Sequence, residues 1–135
     1  MKIGVLTRSF EVDMGEIVLS VKAQRFCSMA DVETAHIRYA VDVLAGEAKV
    51  QVSGALNGDV HNEDANWDEG FWETEACKGD GHGGLLVVST RKTGFHVGHA
   101  IEGAMSCDGK PLEGRLIVGK HGLSVSFEAQ VEAGQ

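Results

Sequence analysis

The sequence has no excess of basic residues and no cluster of lysines or arginines. It contains 12 Lys and Arg against 20 Asp and Glu, which gives a formal net charge of −8. Nucleic acids and anionic membranes carry negative charge and are bound through basic patches. The charge balance therefore argues against both as partners, and we expect neither a nucleic acid nor a membrane to be bound.

Long apolar runs and a paired set of cysteines are also missing. No run approaches the about 20 apolar residues that a membrane-spanning helix needs. The N-terminal residues MKIGVLTRSF lack the apolar core of a signal peptide. Cys27, Cys77 and Cys107 are an odd number at wide spacing, which is typical of free thiols in the cytosol. These absences predict a soluble, cytoplasmic protein.

Proline and aromatic residues are scarce, whereas glycine is abundant. The chain has one Pro, 18 Gly and only 6% aromatic residues. Its length predicts one domain over residues 1–135. The core of that domain therefore has to consist mainly of Val, Leu, Ile and Ala, and the glycines indicate many turns.

The hydrophobic pattern has a period of two over much of the chain. In residues 36–43 one side carries Ile, Tyr, Val and Val, and the other carries His, Arg, Ala and Asp. The alternation resumes with Val50 and Val52 after a short segment that contains Gly46. Half-buried strands give this period, and two of them joined by a short glycine-containing loop predict a β-hairpin.

A helix over residues 29–45 is the alternative for the first of these strands. Ser28 and Asp31 resemble a capping box, and Gly46 stands where the C-cap of a helix would. Such a helix would be apolar nearly all round and would contain several β-branched residues, against their propensity. The strand interpretation is favoured, and a single helical turn near residues 28–32 is compatible with it.

The pattern predicts about eight strands and no internal repeat. Besides the hairpin, they cover residues 2–8, 16–23, 85–90, 95–101, 116–118 and 123–131. A long acidic loop over residues 57–84 separates the hairpin from the later strands, and loops of this length are usually functional or tied to a neighbour. The regular turn signals favour an all-β fold, an antiparallel β-sandwich, although a closed barrel gives a similar pattern.

Two motifs resemble ligand-binding loops but lack the required context. Residues 79–84 spell G-x-G-x-x-G, yet a dinucleotide site needs a helix after the glycines, and a strand is predicted there. Asp64, Asn66, Asp68 and Glu75 fit four ligand positions of a calcium loop, but a glutamate replaces its essential glycine. The histidines show no zinc spacing. We therefore expect no cofactor and no metal site.

No arrangement of side chains predicts a reaction centre. Glycoside hydrolysis needs two carboxylates at a fixed separation across a cleft, whereas the four acidic residues between positions 62 and 70 share one loop. Ser89 and Thr90 have no neighbouring His and Asp that would activate a nucleophile. We therefore expect no catalytic residue, and no enzyme activity of this chain on its own.

Trp67, Phe71 and Trp72 form the most informative group, because both tryptophans of the chain lie within six residues. With Asp64 and Asp68 beside them, these aromatic side chains could stack on sugar rings while the carboxylates bond sugar hydroxyls. They could equally anchor a protein interface, in which Trp is enriched, or fold back onto the sandwich. These five residues are the candidate carbohydrate- or interface-facing positions.

Seven short segments, taken together and in order, carry a family resemblance. They are residues 4–8 (GVLTR), 25–31 (RFCSMAD), 36–39 (HIRY), 55–60 (ALNGDV), 62–68 (NEDANWD), 71–72 (FW) and 90–95 (TRKTGF). This set resembles the N-terminal β-sandwich domain of glycoside hydrolase family 65, which includes the maltose, trehalose and kojibiose phosphorylases. The similarity extends from about residue 4 to residue 101.

The resemblance implies that the chain is a piece of a galactose-mutarotase-like super-sandwich. In the family this domain precedes an α/α barrel that contains the catalytic glutamate and the phosphate site. An α-glucoside disaccharide would then be a partner only through that barrel. The implied functions are scaffolding, dimerisation or lining the carbohydrate site. A free-standing carbohydrate-binding module that uses Trp67 and Trp72 is the alternative.

The resemblance also bears on self-association. A sandwich separated from the rest of a larger domain exposes sheet edges or an apolar face. We therefore expect a homo-oligomer, in particular a dimer that completes a sheet.

Overall fold

The computed structural model describes residues 4–61 and 70–134, and this part of the chain is built from strands without any helix. The described strands are β1 (Leu6–Asp13), β2 (Val18–Cys27), β3 (Ala35–Ala45), β4 (Glu47–Asn57), β5 (Trp72–Asp80), β6 (Gly83–Thr90), β7 (His96–Glu102), β8 (Ser106–Cys107), β9 (Lys110–Pro111), β10 (Arg115–Val118) and β11 (Gly122–Glu132). The predicted all-β class is confirmed. So is the strand interpretation of residues 36–43, which lie within β3.

The contacts group the chain into two compact units. Unit 1 consists of Met1–Val50 with Gln130–Gln135, and unit 2 consists of Gln51–Ala129. The sheet β1-β2-β3 belongs to unit 1. Unit 2 contains the sheets β5-β6-β7 and β8-β9 and most of the sheet β10-β11-β4. β4 and β11 each contribute residues to both units.

The sheet of unit 1 is a simple antiparallel meander. Leu6 of β1 lies opposite Arg25 of β2, and Arg25 lies opposite Ile37 of β3. The turn between β1 and β2 is closed by Gly15, which has φ +87 and donates its N–H to Asp13 Oδ1 at 2.8 Å. Because side chains alternate along each strand, residues in one such row share a face of the sheet.

The predicted hairpin of β3 and β4 is wrong. β3 pairs with β2, whereas β4 lies beside β11 in a different sheet. Only Gly46 separates β3 from β4, and even the shortest common hairpin loop has two residues. Gly46 has φ +78, and a Cβ at this position would overlap the backbone oxygen of Glu16. The glycine therefore lets the chain turn sharply out of one sheet and into another.

Unit 2 is a β-sandwich whose core lies between β6 and β11. β6 is the central strand of the sheet β5-β6-β7, and β11 is the central strand of β10-β11-β4. Each fully buried aliphatic or Phe side chain contributes about 1.5–3 kcal/mol. The buried apolar side chains described in this unit are Leu86 and Val88 of β6 and Leu123, Val125, Phe127 and Ala129 of β11. The predicted sandwich is thereby confirmed.

Glycines allow the two sheets of unit 2 to approach closely. A Cβ on Gly84 of β6 would lie 2.6 Å from Leu123 Cδ2, and a Cβ on Gly79 of β5 would lie 2.9 Å from Leu116 Cδ2. Both distances are shorter than the about 3.5–4.0 Å of favourable carbon–carbon contact. Gly81, with φ +52, lies in the turn between β5 and β6. The G-x-G-x-x-G segment thus serves packing and turn formation.

The described part of the chain contains three strands that the sequence does not predict, namely β5, β8 and β9. β5 occupies residues 72–80 of the predicted acidic loop, which is therefore shorter than expected. The register between β5 and β6 shifts between Thr74 and Ala76, so that Glu75 is the extra residue of a β-bulge. Residues 72–76 alternate in the sequence and in burial, but the bulge shifts the alternation after Ala76, so the period of two is short.

The short hairpin of β8 and β9 lies in a segment that the sequence predicts as a turn. Its two central residues, Asp108 and Gly109, have φ values of 50° and 73°. Positive φ at both positions is the requirement of a type I′ turn, for which Asp-Gly is a preferred pair. The turn prediction is confirmed, and two residues on each side extend it into strands.

Leu86→Ala is expected to lower the free energy of unfolding by about 2–5 kcal/mol, because it leaves a cavity in the core of unit 2. The Leu86 side chain is 1% exposed, whereas Leu44 is 51% exposed and provides a matched Leu→Ala control. The control should change the free energy by less than about 0.5 kcal/mol. Urea unfolding followed by circular dichroism measures both variants. Equal losses would contradict the assignment of β6 to the core.

Candidate functional site

The structure describes two of the five candidate residues. Trp67, Asp64 and Asp68 lie in segment 62–69, outside the described residues. Phe71 directly precedes β5, and Trp72 is the first residue of β5. The assignment of all five to a ligand or an interface stays a prediction.

Phe71 and Trp72 direct their side chains to opposite sides of the sheet β5-β6-β7. Trp72 lies opposite Thr90, which shares a face of β6 with the buried Val88. The Phe71 carbonyl accepts a hydrogen bond from the Arg91 N–H at 3.0 Å, so the pairing continues one residue beyond Trp72. Because side chains alternate in an extended chain, Trp72 lies on the core side of the sheet and Phe71 lies on the other side.

The segment from Thr90 to Phe95 forms a tight turn between β6 and β7. Thr90 Oγ1 lies 2.6 Å from Thr93 Oγ1 and accepts the Phe95 N–H at 2.9 Å. The Thr90 N–H donates to the Phe95 carbonyl, and the Gly94 N–H donates to the Thr90 carbonyl, each at 2.9 Å. Thr90 therefore holds the turn with its hydroxyl, its N–H and its carbonyl, a use of side-chain hydroxyls that is common in turns.

A depression of about 310 Å³ lies beside this turn. Its lining combines an aromatic ring, two cationic side chains and two hydroxyls, and the lining residues are Gly70, Phe71, Thr90, Arg91, Lys92 and Thr93. No carboxylate belongs to this described lining. Guanidinium and ammonium groups bind anions and hydroxyl oxygens through charge-assisted hydrogen bonds. The described lining of the depression therefore carries groups of the kind that bind anions and hydroxyl oxygens.

A carboxylate and an imidazole form a pair across the sheet β5-β6-β7. Glu75 Oε2 lies 2.9 Å from His96 Nδ1. Glu75 is the bulged residue of β5, and a bulge redirects the side chain of its extra residue. The two side chains are 40% and 61% exposed, and exposed pairs of this kind contribute about 0–1 kcal/mol. The pair fixes the orientation of His96 more than it stabilises the fold.

Ser89 lies directly opposite His96 in the pairing of β6 with β7. This backbone register places His96 beside Ser89, which the sequence did not indicate, and the described side-chain contact of His96 is with Glu75. Nucleophilic catalysis also needs N–H groups that bind the developing oxyanion. β6 is a central strand, and its backbone groups are used in ladders with β5 and β7. The backbone groups of β6 at Ser89 are therefore committed to the sheet.

Within residues 4–61 and 70–134, no group of three or more His, Cys, Asp or Glu is arranged to hold a metal ion. Cys27, Cys77 and Cys107 are free thiols. The described part of the chain has no helix with the length and apolarity needed to cross a membrane.

Arg91, Lys92 and Thr93 are candidate binding residues that sequence reasoning did not select. They occur in the TRKTGF segment, where hydroxyl residues and a glycine indicate a turn. The position of Phe71 beside this turn depends on the pairing of β5 with β6. Because the sequence analysis assigned residues 72–80 to a loop, the depression beside this turn was not predicted.

A family model matches the whole chain. It is described as "Glycosyl hydrolase family 65, N-terminal domain" and matches residues 1–135. Maltose phosphorylase of Bacillus subtilis (strain 168) is 37% identical over 95 residues. These residues make up 70% of this chain and 12% of the phosphorylase. The chain thus matches only a small part of that longer relative.

A solved structure has the same fold. It is a protein described as a candidate kojibiose phosphorylase from human microbiome, and it superposes with a TM-score of 0.79. The match covers 98% of this chain and 16% of that chain, at 14% sequence identity. At this identity the similarity concerns the fold alone.

Thr90→Val is expected to lower the free energy of unfolding by about 1–2 kcal/mol, because it removes the hydroxyl that bonds both the Phe95 N–H and Thr93 Oγ1. Thr93→Val removes only the hydrogen bond between the two hydroxyls, and the free energy of unfolding should fall by about half as much. Thr90→Ser keeps both and is the control. Urea unfolding gives the free energies, and amide exchange should accelerate at Phe95 only in Thr90→Val. Unchanged exchange there would contradict the proposed turn.

Proposed function

Because the chain belongs to the N-terminal domain family of glycosyl hydrolase family 65, we propose that it is a non-catalytic sandwich domain serving a disaccharide phosphorylase or hydrolase. The observation that carries the proposal is the match of all 135 residues to this one domain. A maltose phosphorylase that resembles it is far longer, since the matched region is 12% of that protein. The reaction centre of such an enzyme would lie outside this chain.

The proposed role is to support a catalytic barrel and to line its carbohydrate site. An α-glucoside disaccharide is the substrate class that we propose for the complete enzyme, in the cytoplasm. Of the described residues, Phe71, Arg91 and Lys92 are the ones we assign to the boundary with the barrel. They combine an aromatic ring with cationic groups beside a depression, and such groups recur at protein interfaces and at sugar hydroxyls.

Dimerisation is the third part of the proposed function. β1 is an edge strand, since in the sheet β1-β2-β3 it pairs with β2 alone. All but one of its eight residues are exposed. An exposed edge offers unpaired N–H and carbonyl groups to a further strand. We therefore assign β1 as the strand through which a second copy would extend the sheet.

The purified chain is expected to form no glucose 1-phosphate from maltose, trehalose or kojibiose in the presence of phosphate, because the proposed reaction centre lies in a separate barrel. A coupled assay for glucose 1-phosphate measures this. Bacillus subtilis maltose phosphorylase, assayed with maltose, is the positive control. Turnover that follows this protein through successive purification steps would overturn the non-catalytic assignment.

Sedimentation velocity over a range of protein concentrations is expected to show a dimer, since β1 is an open edge. Amide exchange should then slow along β1 as the dimer fraction rises, because added backbone hydrogen bonds protect its N–H groups. A monomer at every concentration would contradict the dimer. A dimer without protection of β1 would contradict the choice of strand.

A further inference from the structure

The sheet of unit 1 has one face composed almost entirely of apolar residues. The pairing of β1, β2 and β3 defines four rows on this face: Leu6, Arg25 and Ile37; Arg8, Ala23 and Tyr39; Phe10, Val21 and Val41; and Val12, Leu19 and Val43. Ten of these twelve residues are apolar or aromatic. The alternate positions of the same strands are mainly polar, as expected when one face is meant to be covered.

Burial falls steadily along this face. Val43, in the last row, is 2% exposed, whereas Ile37 and Tyr39, in the first two rows, are 69% and 57% exposed. On β1, at the other edge of the sheet, Leu6 and Phe10 are 45% and 39% exposed. We call the part formed by Leu6, Arg8, Phe10, Arg25, Ile37 and Tyr39 the open face. It is a contiguous apolar surface, since its members occupy adjacent rows and strands.

Unit 1 has very little core of its own. Val43 is the only apolar side chain that is buried among its described residues. A three-stranded sheet becomes stable by burying one face. The loop between β2 and β3 adds two more exposed apolar side chains at the same end, with Met29 92% and Val32 82% exposed. The open face therefore needs a cover.

The charges on the open face indicate what the cover carries. Its only charged side chains are Arg8 and Arg25, and it has no acidic residue although the chain contains 20 Asp and Glu. The Arg8 guanidinium lies 5.1 Å from the centre of the Phe10 ring, which holds it close to the apolar surface. A cover that buries these guanidinium groups has to supply carboxylates, because unpaired buried charges are strongly unfavourable.

We infer that the open face binds an apolar protein surface that carries carboxylates and that belongs to the remaining polypeptide of a phosphorylase-type enzyme. This inference rests on the proposed function, since it names the surface through which the sandwich joins the rest of the enzyme. The matched relatives supply such a polypeptide, because this chain matches only 12% and 16% of their lengths.

A second copy of this chain fits the open face less well. In a two-fold packing neither open face has an acidic residue to pair with the arginines of the other copy. The area is also small. Three strands with the eight residues of β1 cover about 14 Å by about 26 Å, or roughly 370 Å². A standard interface buries about 800 Å² on each partner. A cover within one polypeptide needs less area, because it loses little translational freedom on binding.

Thiol labelling of two single-cysteine sites tests the inference. Ile37→Cys places a thiol on the open face, and Arg38→Cys places a matched thiol on the other face of the same strand. Both are made with Cys27, Cys77 and Cys107 replaced by Ser, and the rate at each site is read from its own peptide by mass spectrometry. Each is labelled with a maleimide in the isolated chain and in a chimera of Bacillus subtilis maltose phosphorylase in which this chain replaces the similar region.

In the isolated chain both sites should react at similar rates. In the chimera the Ile37→Cys site should react at least tenfold more slowly, and the Arg38→Cys site should not. Equal rates at Ile37→Cys in both proteins, or equal slowing of both sites, would overturn the inference. The inference would also be overturned if labelling of Ile37→Cys in the isolated chain slowed as the protein concentration rose. A second copy of the chain would then be the cover.

Maltose phosphorolysis by the same chimera separates the two proposals. An active chimera with a reactive Ile37→Cys thiol would overturn the inference and leave the scaffold function standing. A soluble chimera without phosphorolysis would overturn the scaffold function. The role of the arginines is tested in the active chimera, where Arg25→Glu should restore labelling of Ile37→Cys and Arg25→Lys should not. Continued protection with Arg25→Glu would overturn the requirement for carboxylates.

Discussion

The packing of β6 against β11 is the contact on which unit 2 depends. These central strands contribute its described buried apolar side chains. β5 and β7 are attached to β6 by backbone hydrogen bonds, and β4 and β10 flank β11 in the same way. The turn from Thr90 to Phe95 follows β6 directly, so the depression beside Phe71 and Arg91 is fixed at one end to a core strand of the unit.

Much of the fold could be predicted because the period of two is a local signal. Residues 36–43 and 123–131 alternate clearly and are strands, and Asp108-Gly109 forms the predicted turn. The partners of the strands could not be predicted in the same way. A single glycine separates β3 from β4, and the alternation on each side does not reveal that the two strands belong to different sheets.

Less of the candidate site could be predicted, since it is assembled from segments that are distant in sequence. Phe71 was identifiable as an aromatic residue of an acidic segment. The place of Arg91 beside Phe71 was not identifiable, because it depends on the pairing of β5 with β6. The contact of Glu75 with His96 depends on that strand as well. Family resemblance identified these segments without explaining their arrangement.

The position of Gly46 has a consequence for the order in which the chain folds. β1, β2 and β3 pair with neighbours in sequence, whereas β4 needs β11, which begins only at Gly122. Contacts between distant segments form late, because the entropy of closing a long loop opposes them. During synthesis β4 leaves the ribosome long before its partner does. Its unpaired edge is then exposed to other nascent chains, and prompt release or chaperone binding would limit aggregation.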